Sequence, residues 1–261
     1  MSDLAIEITN LSFRYERKEI LRDINLQIRS GDYVALIGPN GVGKSTLLKC
    51  LNRIIRIPSA SIRLFDKELK DYSQKELGKL VGYVPQYLEQ LFSYTVFEFV
   101  LMARYPYFDT WRPASVHDEQ KVNDILSLLQ MSDFKERRIN QISGGERQKV
   151  YIAAALAQEP KILLLDEPTA HLDPKYHSEI QRLISQVAKN LGLTVLHVTH
   201  DLNHIASWSQ DVVAMKNGSV ILHDAPPQIL TAPNLESIFG TKFIFMTHPQ
   251  TKKNIIIPEM S

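Results

Sequence analysis

The chain has 261 residues, a formal charge of +1, and an ordinary balance of 44% hydrophobic and 23% charged side chains. That length buries a sizeable core as one large domain or two small ones, and near-neutrality gives no electrostatic footprint for nucleic acid. The single cysteine, Cys50, excludes an internal disulfide and a cysteine-based metal cluster, and its apolar helical surroundings predict a buried thiol in a reducing compartment.

The N-terminus, Met1-Ser2-Asp3, has neither the basic start nor the apolar stretch of a signal peptide. No apolar run approaches the ~18–20 residues that span a bilayer. The expectation is a cytosolic protein, held at a membrane only through another component. Leu4, Ile6 and Ile8 alternate with polar neighbours, as do Leu11, Phe13 and Tyr15, and again Ile24, Leu26 and Ile28. A period of two predicts half-buried antiparallel strands. Tyr33-Val34-Ala35-Leu36-Ile37 is continuously apolar, as a strand covered on both faces would be. A glycine-rich turn and a helix from Thr46 to Leu51 follow it, the first unit of a parallel α/β core.

Further along, residues 89–158 contain no convincing strand, and Val122, Ile125, Leu126 and Leu129 mark an amphipathic helix. A helical subdomain over 89–158 is therefore expected inside an α/β core formed by 1–88 and 159–228. Ile162–Leu165 and Thr194–Thr199 read as buried strands. The helix between them carries Ile180, Leu183, Ile184, Val187 and Leu191 on one stripe, with Asp173-Pro174 as its start and Gly192 as its stop. Asn217-Gly218 between two apolar runs signals a hairpin. Residues 229–261 are expected to hold a helix and a small hairpin, Lys242–Thr247 with Asn254–Ile257.

Two motifs carry chemistry. Gly38-Pro39-Asn40-Gly41-Val42-Gly43-Lys44-Ser45 fits the phosphate-loop pattern and sits between a strand and a helix, where that pattern must sit. Glycines let successive N–H groups turn inward toward phosphate oxygens, and the helix N-terminus adds its positive end. Lys44 supplies a cation for the β- and γ-phosphates and the Ser45 hydroxyl a Mg²⁺ ligand. Ile162–Leu165 then runs into Asp166-Glu167, two carboxylates at the carboxyl end of a core strand. Asp166 suits Mg²⁺ and Glu167 suits the attacking water.

Between these motifs lies Ile142-Ser143-Gly144-Gly145-Glu146-Arg147-Gln148, which resembles the signature sequence of ABC ATPases, with Glu146 where the commonest form has glutamine. The chain is thereby identified as a member of that family, from Tyr15 to His200. The resemblance implies ATP and Mg²⁺ as cofactors and a head-to-tail homodimer. In that dimer Ser143, Gly144, Gly145 and Glu146 of one subunit close over the γ-phosphate held by the other. It further implies that Tyr15 stacks on adenine, although Tyr15 equally continues the strand face of Leu11 and Phe13. Gly38 to Gly43, with Lys44, Ser45 and Thr46, take the phosphates. Gln86 reaches Mg²⁺ and the attacking water beside Ser45 and Asp166, Glu167 is the base, and His200 touches the γ-phosphate. Asp173, in a stretch resembling the D-loop with an unusual His171, caps a helix and contacts the partner. His197 and His204 near His200 invite a metal-site reading, but His197 is out of phase with His200 on its strand.

The fold implied is the α/β phosphate-loop NTPase core with an N-terminal antiparallel β subdomain and an inserted α-helical subdomain. Met102-Ala103-Arg104-Tyr105-Pro106-Tyr107 and the tail Phe245–Pro249 with Ile256-Ile257-Pro258 resemble subunits that energise uptake of iron–siderophore, haem, cobalamin or related metal chelates. That implies a permease in the membrane, docked around Gln86–Trp111, a substrate-binding protein behind it, and a peripheral position on the cytoplasmic face. Phe97, Phe99, Tyr105, Tyr107, Phe108 and Trp111 divide between helical core and exposed patch. The alternatives are a soluble ABC ATPase, for example in iron–sulfur assembly, or an importer subunit for another cargo.

Overall fold

A computed structural model describes residues 3–57, 61–86, 93–108, 114–170, 172–247, 249–250 and 254–259. Trp111 and His171, named above, and His248 of the tail lie outside the described residues. Two compact units result: Met1–Leu69 with Thr194–Ser261, and Lys70–Leu193.

The first unit opens with β1 (Leu4–Tyr15), β2 (Lys18–Arg29), β3 (Tyr33–Ile37), α1 (Lys44–Leu51), β4 (Ser61–Leu64) and β5 (Lys67–Glu68). Strands β2, β1, β4 and β5 form an antiparallel sheet in that order. The two alternating runs at Leu4–Ile8 and Leu11–Tyr15 belong to one strand. Its register shifts between Ile8 and Leu11, and Asn10 adopts φ 51°. A bulge of this kind inserts one residue and moves the apolar phase from even to odd positions. Strands β4 and β5 escaped the sequence analysis because Ser61–Leu64 is too short to display a period.

The second unit contains α2 (Gln74–Leu80), β6 (Val81–Val84), α3 (Val96–Met102), α4 (Val116–Leu128), α5 (Gly144–Ala157), β7 (Ile162–Asp166) and α6 (Pro174–Leu191). Helices α2, α3, α4 and α5 each begin with a capping box, formed by Ser73/Glu76, Thr95/Glu98, Ser115/Asp118 and Ser143/Glu146. Each box satisfies two of the backbone N–H groups that a helix start leaves over. Among the described residues 93–158 there is one isolated bridge, Thr95 with Arg138, and no strand. On α6 the expected stripe is corrected at its end. Leu191 is exposed, and Gln181 and Ala188 join Ile180, Ile184 and Val187 inside. Gly192 ends the helix at φ 62°, and the Leu193 N–H closes back on the Ala188 carbonyl at 2.9 Å as Leu193 turns in.

The chain then returns to the first unit with β8 (Thr194–Val198), α7 (Leu202–Trp208), β9 (Asp211–Lys216), β10 (Ser219–Asp224), α8 (Pro226–Ile229), α9 (Ala232–Phe239), β11 (Phe243–Thr247) and β12 (Asn254–Pro258). β3 lies between β8 and β9 and is parallel to both, while β10 closes the edge antiparallel to β9. All five residues of β3 are buried, which explains its unbroken apolar run. In the second unit β6 and β7 are likewise parallel. No helix among the described residues is long and apolar enough to cross a membrane.

Candidate nucleotide site

In the first unit β3 ends on the phosphate loop. Gly38 has φ 146°, and a Cβ there would stand 2.3 Å from the Met215 carbonyl oxygen of β9, so only glycine fits. Gly43 caps α1 at φ 110° and hands the chain to Lys44. The loop is curled about its own lysine. The buried Lys44 ammonium donates to the Gly38 carbonyl at 2.7 Å and to the Pro39 carbonyl at 2.9 Å. Ser45 and Thr46 follow in the first turn of α1, where backbone N–H groups point along the axis. Val42 is buried, whereas Asn40 and Gly41 face solvent.

Tyr15 stands exposed at the end of β1, edge-on to Phe13 with ring centroids 4.8 Å apart. It is a strand-face tyrosine whose ring is accessible to a stacking partner. His200 is exposed just beyond β8. Its neighbours have other employment. His197 is buried and its Nδ1 meets the Tyr33 hydroxyl at 2.7 Å, and His204 Nδ1 faces Asp201.

In the second unit the carboxylates fall together with Gln86. Asp166 is the buried last residue of β7, and its Oδ2 accepts from the Tyr83 hydroxyl at 3.3 Å. Parallel pairing of β6 with β7 places Tyr83 opposite Leu164. Burial, then the charge of Asp166, pushes the Tyr83 hydroxyl well above its ordinary pKa, so it stays a donor. Glu167 leaves the strand at φ 49°, in the left-handed region that costs a non-glycine residue about 1 kcal/mol or more. That turn brings Glu167 Oε2 to 3.0 Å from Gln86 Nε2. Tyr83 was missed as a site residue. Its signal was available: a polar-tipped aromatic in an apolar strand, three positions before Gln86.

Ser143 is the N-cap of α5. The Glu146 N–H donates to its Oγ at 3.3 Å, and the Ser143 N–H donates to Glu146 Oε2 at 2.7 Å. The backbone hydrogen bond from Ser143 holds the Glu146 carboxyl below the usual carboxylate range. The departure from glutamine is thus absorbed locally, since the capping position needs an acceptor and either side chain supplies one. Gly144 borders open space, while a Cβ on Gly145 would stand 2.4 Å from the Tyr176 ring of α6. Asp173 caps α6, accepting from the N–H groups of Lys175 at 3.1 Å and Tyr176 at 3.0 Å. Gly145 and Tyr176 therefore join the signature turn to the Asp173 turn.

Beside the signature helix lies a buried cation. Arg104 donates through Nε to Asp118 Oδ1 at 3.0 Å, and through Nη1 to the Ala157 carbonyl at 2.8 Å and Glu159 Oε2 at 2.7 Å. Its guanidinium lies 3.9 Å from the Tyr107 ring centroid. Arg104, within the Met102–Tyr107 stretch, is the hub tying that stretch to the start of α4 and the end of α5. Of the aromatics there, Tyr105 is exposed and Phe97, Phe99, Tyr107 and Phe108 are half-buried.

Comparison with known proteins shows the family. The sequence pattern of the family described as ABC transporter matches residues 21–170. The iron(3+)-hydroxamate import ATP-binding protein of Bacillus subtilis is 36% identical over 257 residues, covering 98% of this chain and 95% of that protein. A phosphonates import ATP-binding protein of Synechococcus is 38% identical over 245 residues, covering 90% of each. Among solved structures, an inward-facing conformation of a candidate metal-chelate type ABC transporter superimposes with a TM-score of 0.86 at 28% identity, covering 99% of this chain and 98% of that one.

Proposed function

Because this chain belongs to the ABC transporter family, we propose that it is the ATP-hydrolysing subunit of an importer for an iron–siderophore, haem, cobalamin or similar metal chelate. It works as a head-to-tail homodimer on the cytoplasmic face of the membrane, beneath a permease fed by a substrate-binding protein, and it takes no nucleic acid. The observation that supports the cargo class is the likeness over 99% of the chain to the metal-chelate type structure at a TM-score of 0.86.

Each residue has a task in this reading. Tyr15 stacks on adenine. Gly38, Pro39, Asn40, Gly41, Val42 and Gly43 wrap the phosphates with Lys44, Ser45 and Thr46, and Lys44 exchanges the Gly38 and Pro39 carbonyls for β- and γ-phosphate oxygens. Glu167 accepts the proton of the water that attacks the γ-phosphorus, and the hydrogen bond from the Gln86 amide aims its carboxylate. His200 donates to the γ-phosphate. Ser143, Gly144, Gly145 and Glu146 of the second subunit present an open helix start to the same phosphate, with Asp173 at the edge of that contact. Ser45, Gln86 and Asp166 are an all-oxygen donor set of the kind Mg²⁺ takes, since Gln86 turns its amide nitrogen to Glu167 and keeps its oxygen for a cation. Bound there, Mg²⁺ neutralises charge on the β- and γ-phosphates.

The test is to purify the full chain with the membrane protein that accompanies it and to reconstitute the pair in vesicles. Ferric hydroxamate with its binding protein should stimulate phosphate release severalfold. Stimulation by a phosphonate alone would move the cargo class, and the lack of any membrane partner would favour a soluble ABC ATPase. Tyr105→Ala, at the exposed ring, should weaken the complex more than it changes basal hydrolysis.

A further inference from the structure

The C-terminal hairpin has no task in the chemistry above, yet it grips the helix that follows His200. Asn203 is the second residue of α7. Its amide makes a reciprocal pair with the backbone of Ile256 in β12. The Ile256 N–H donates to Asn203 Oδ1 at 2.7 Å, and Asn203 Nδ2 donates to the Ile256 carbonyl at 3.1 Å. This is how one strand residue pairs with another, with a single side chain standing in for the second strand. The Ile256 side chain enters the cluster that holds Leu202 and Ile205 of α7, together with Ala35 and Ile37 of β3, the strand that leads into Gly38.

From the other side, the turn carrying His200 is tied to the sheet. The Thr199 N–H donates to the Leu36 carbonyl at 3.3 Å, the Asp201 N–H to Thr199 Oγ1 at 3.1 Å, and the Leu202 N–H to the His200 carbonyl at 3.1 Å. His200 is therefore suspended between a sheet strand and α7. A helix of seven residues is too short to stabilise itself, so its orientation is set by what it packs against. The Asp201 side chain makes no cap hydrogen bond to it and faces His204 of the same helix, a contact that does not tie α7 to the rest of the fold as the Asn203–Ile256 pair does.

We infer that the C-terminal hairpin is a positioning element for His200, and that Asn203 is the positioning residue through which it acts. The inference rests on the reading of His200 as the γ-phosphate contact. Catalytic groups must be held to within about 0.5 Å, and a misplacement near 1 Å costs on the order of a hundredfold in rate. In that reading ATP affinity resides in the phosphate loop and Tyr15, neither of which Asn203 touches, so breaking the Asn203–Ile256 pair is expected to act on turnover more than on binding.

The experiment is steady-state phosphate release by the full chain with Mg-ATP for Asn203→Ala, Ile256→Val and His200→Ala, each with a thermal unfolding curve. Asn203→Ala is expected to lower kcat by about tenfold to a hundredfold with KM for ATP within about threefold. Ile256→Val keeps the backbone pair and trims one methyl group; it should lower thermal stability while kcat stays within about twofold. Wild-type kcat in Asn203→Ala overturns the inference, and so does a kcat loss that merely follows thermal stability across both variants. His200→Ala separates the two levels. If it turns over like the wild type, the reading of His200 falls and the hairpin's role with it. If it stops turnover while Asn203→Ala does not, the hairpin inference alone falls.

Discussion

Replacing Arg104 by methionine keeps an apolar stem of similar reach and deletes the charge at the hub of the helical unit. The Arg104 side chain is 1% exposed and its principal partner Asp118 is 8% exposed, so both charges sit out of water. Glu159 is 39% exposed and also pairs with Lys121 at 2.7 Å, so its share is heavily screened and contributes little. What remains after the substitution is Asp118, buried, with the Ser115 N–H at 3.0 Å and hydroxyl at 2.6 Å as donors, and an Ala157 carbonyl without its Arg104 donor. Breaking a buried pair by removing one partner costs about 3–5 kcal/mol. For a chain of this size each kcal/mol lowers the melting temperature by roughly 2–4 °C, so the expected loss is about 6–20 °C by circular dichroism. Adding Asp118→Asn should then cost less than it does alone, with a coupling of about 1–3 kcal/mol. A loss below about 1 kcal/mol, or strict additivity of the two substitutions, would refute the description of this cluster as a buried, mutually dependent pair.

Gly38→Ala places a methyl group 2.3 Å from the Met215 carbonyl at φ 146°, so the phosphate loop must shift to admit it. Binding of a fluorescent ATP analogue should weaken by more than about tenfold, equivalent to about 1.4 kcal/mol, and unchanged affinity would contradict the loop's role. Ser143→Arg removes the α5 cap, worth ~1 kcal/mol, and puts a bulky cation at the open helix start. ATP binding by the isolated chain should persist while dimer formation disappears in light scattering. The acid limit of stability follows from Asp118, Glu146 and Glu159. Burial opposes ionisation of Asp118 and Glu159, but hydrogen bonds from Ser115, Arg104 and Lys121 outweigh it, and all three carboxyls are held below their ordinary pKa. A lowered folded-state pKa adds stability above the ordinary carboxylate range near ~4, which is lost as pH falls through the lowered values. Urea midpoints should therefore be flat from pH 7 to about 5 and drop below about pH 4, with a smaller drop in Arg104→Met.

The parts of the molecule legible in the sequence are those where local backbone demands select residue types. The glycines of the phosphate loop, the Ser143 and Asp173 caps, and Asn217-Gly218 at φ 51° and 82° each occupy the conformation their identity suggested. Cys50 is buried as its apolar setting implied, and burial pushes its thiol up to about 12. What stayed hidden depends on contacts distant in sequence. The bulge at Asn10 merged two apparent strands, because phase alone does not distinguish a bulge from a break. Leu191 lies outward because Gly192 ends the helix there, and Tyr83 gained its role only when β6 paired with β7. The Asn203–Ile256 pair spans 53 residues and has no local signature at all.

The most direct test of the account is Glu167→Gln in the full chain, measured for phosphate release and for dimer formation on adding Mg-ATP. The Gln86 amide and the phosphate loop remain in place, so ATP should still bind while hydrolysis falls by at least about a hundredfold, the lower end of what a positioned base contributes. An ATP-bound dimer should then accumulate in light scattering. Turnover comparable to the wild type, or a chain that stays monomeric while saturated with ATP, would contradict the assignment of Glu167 and the composite site it serves.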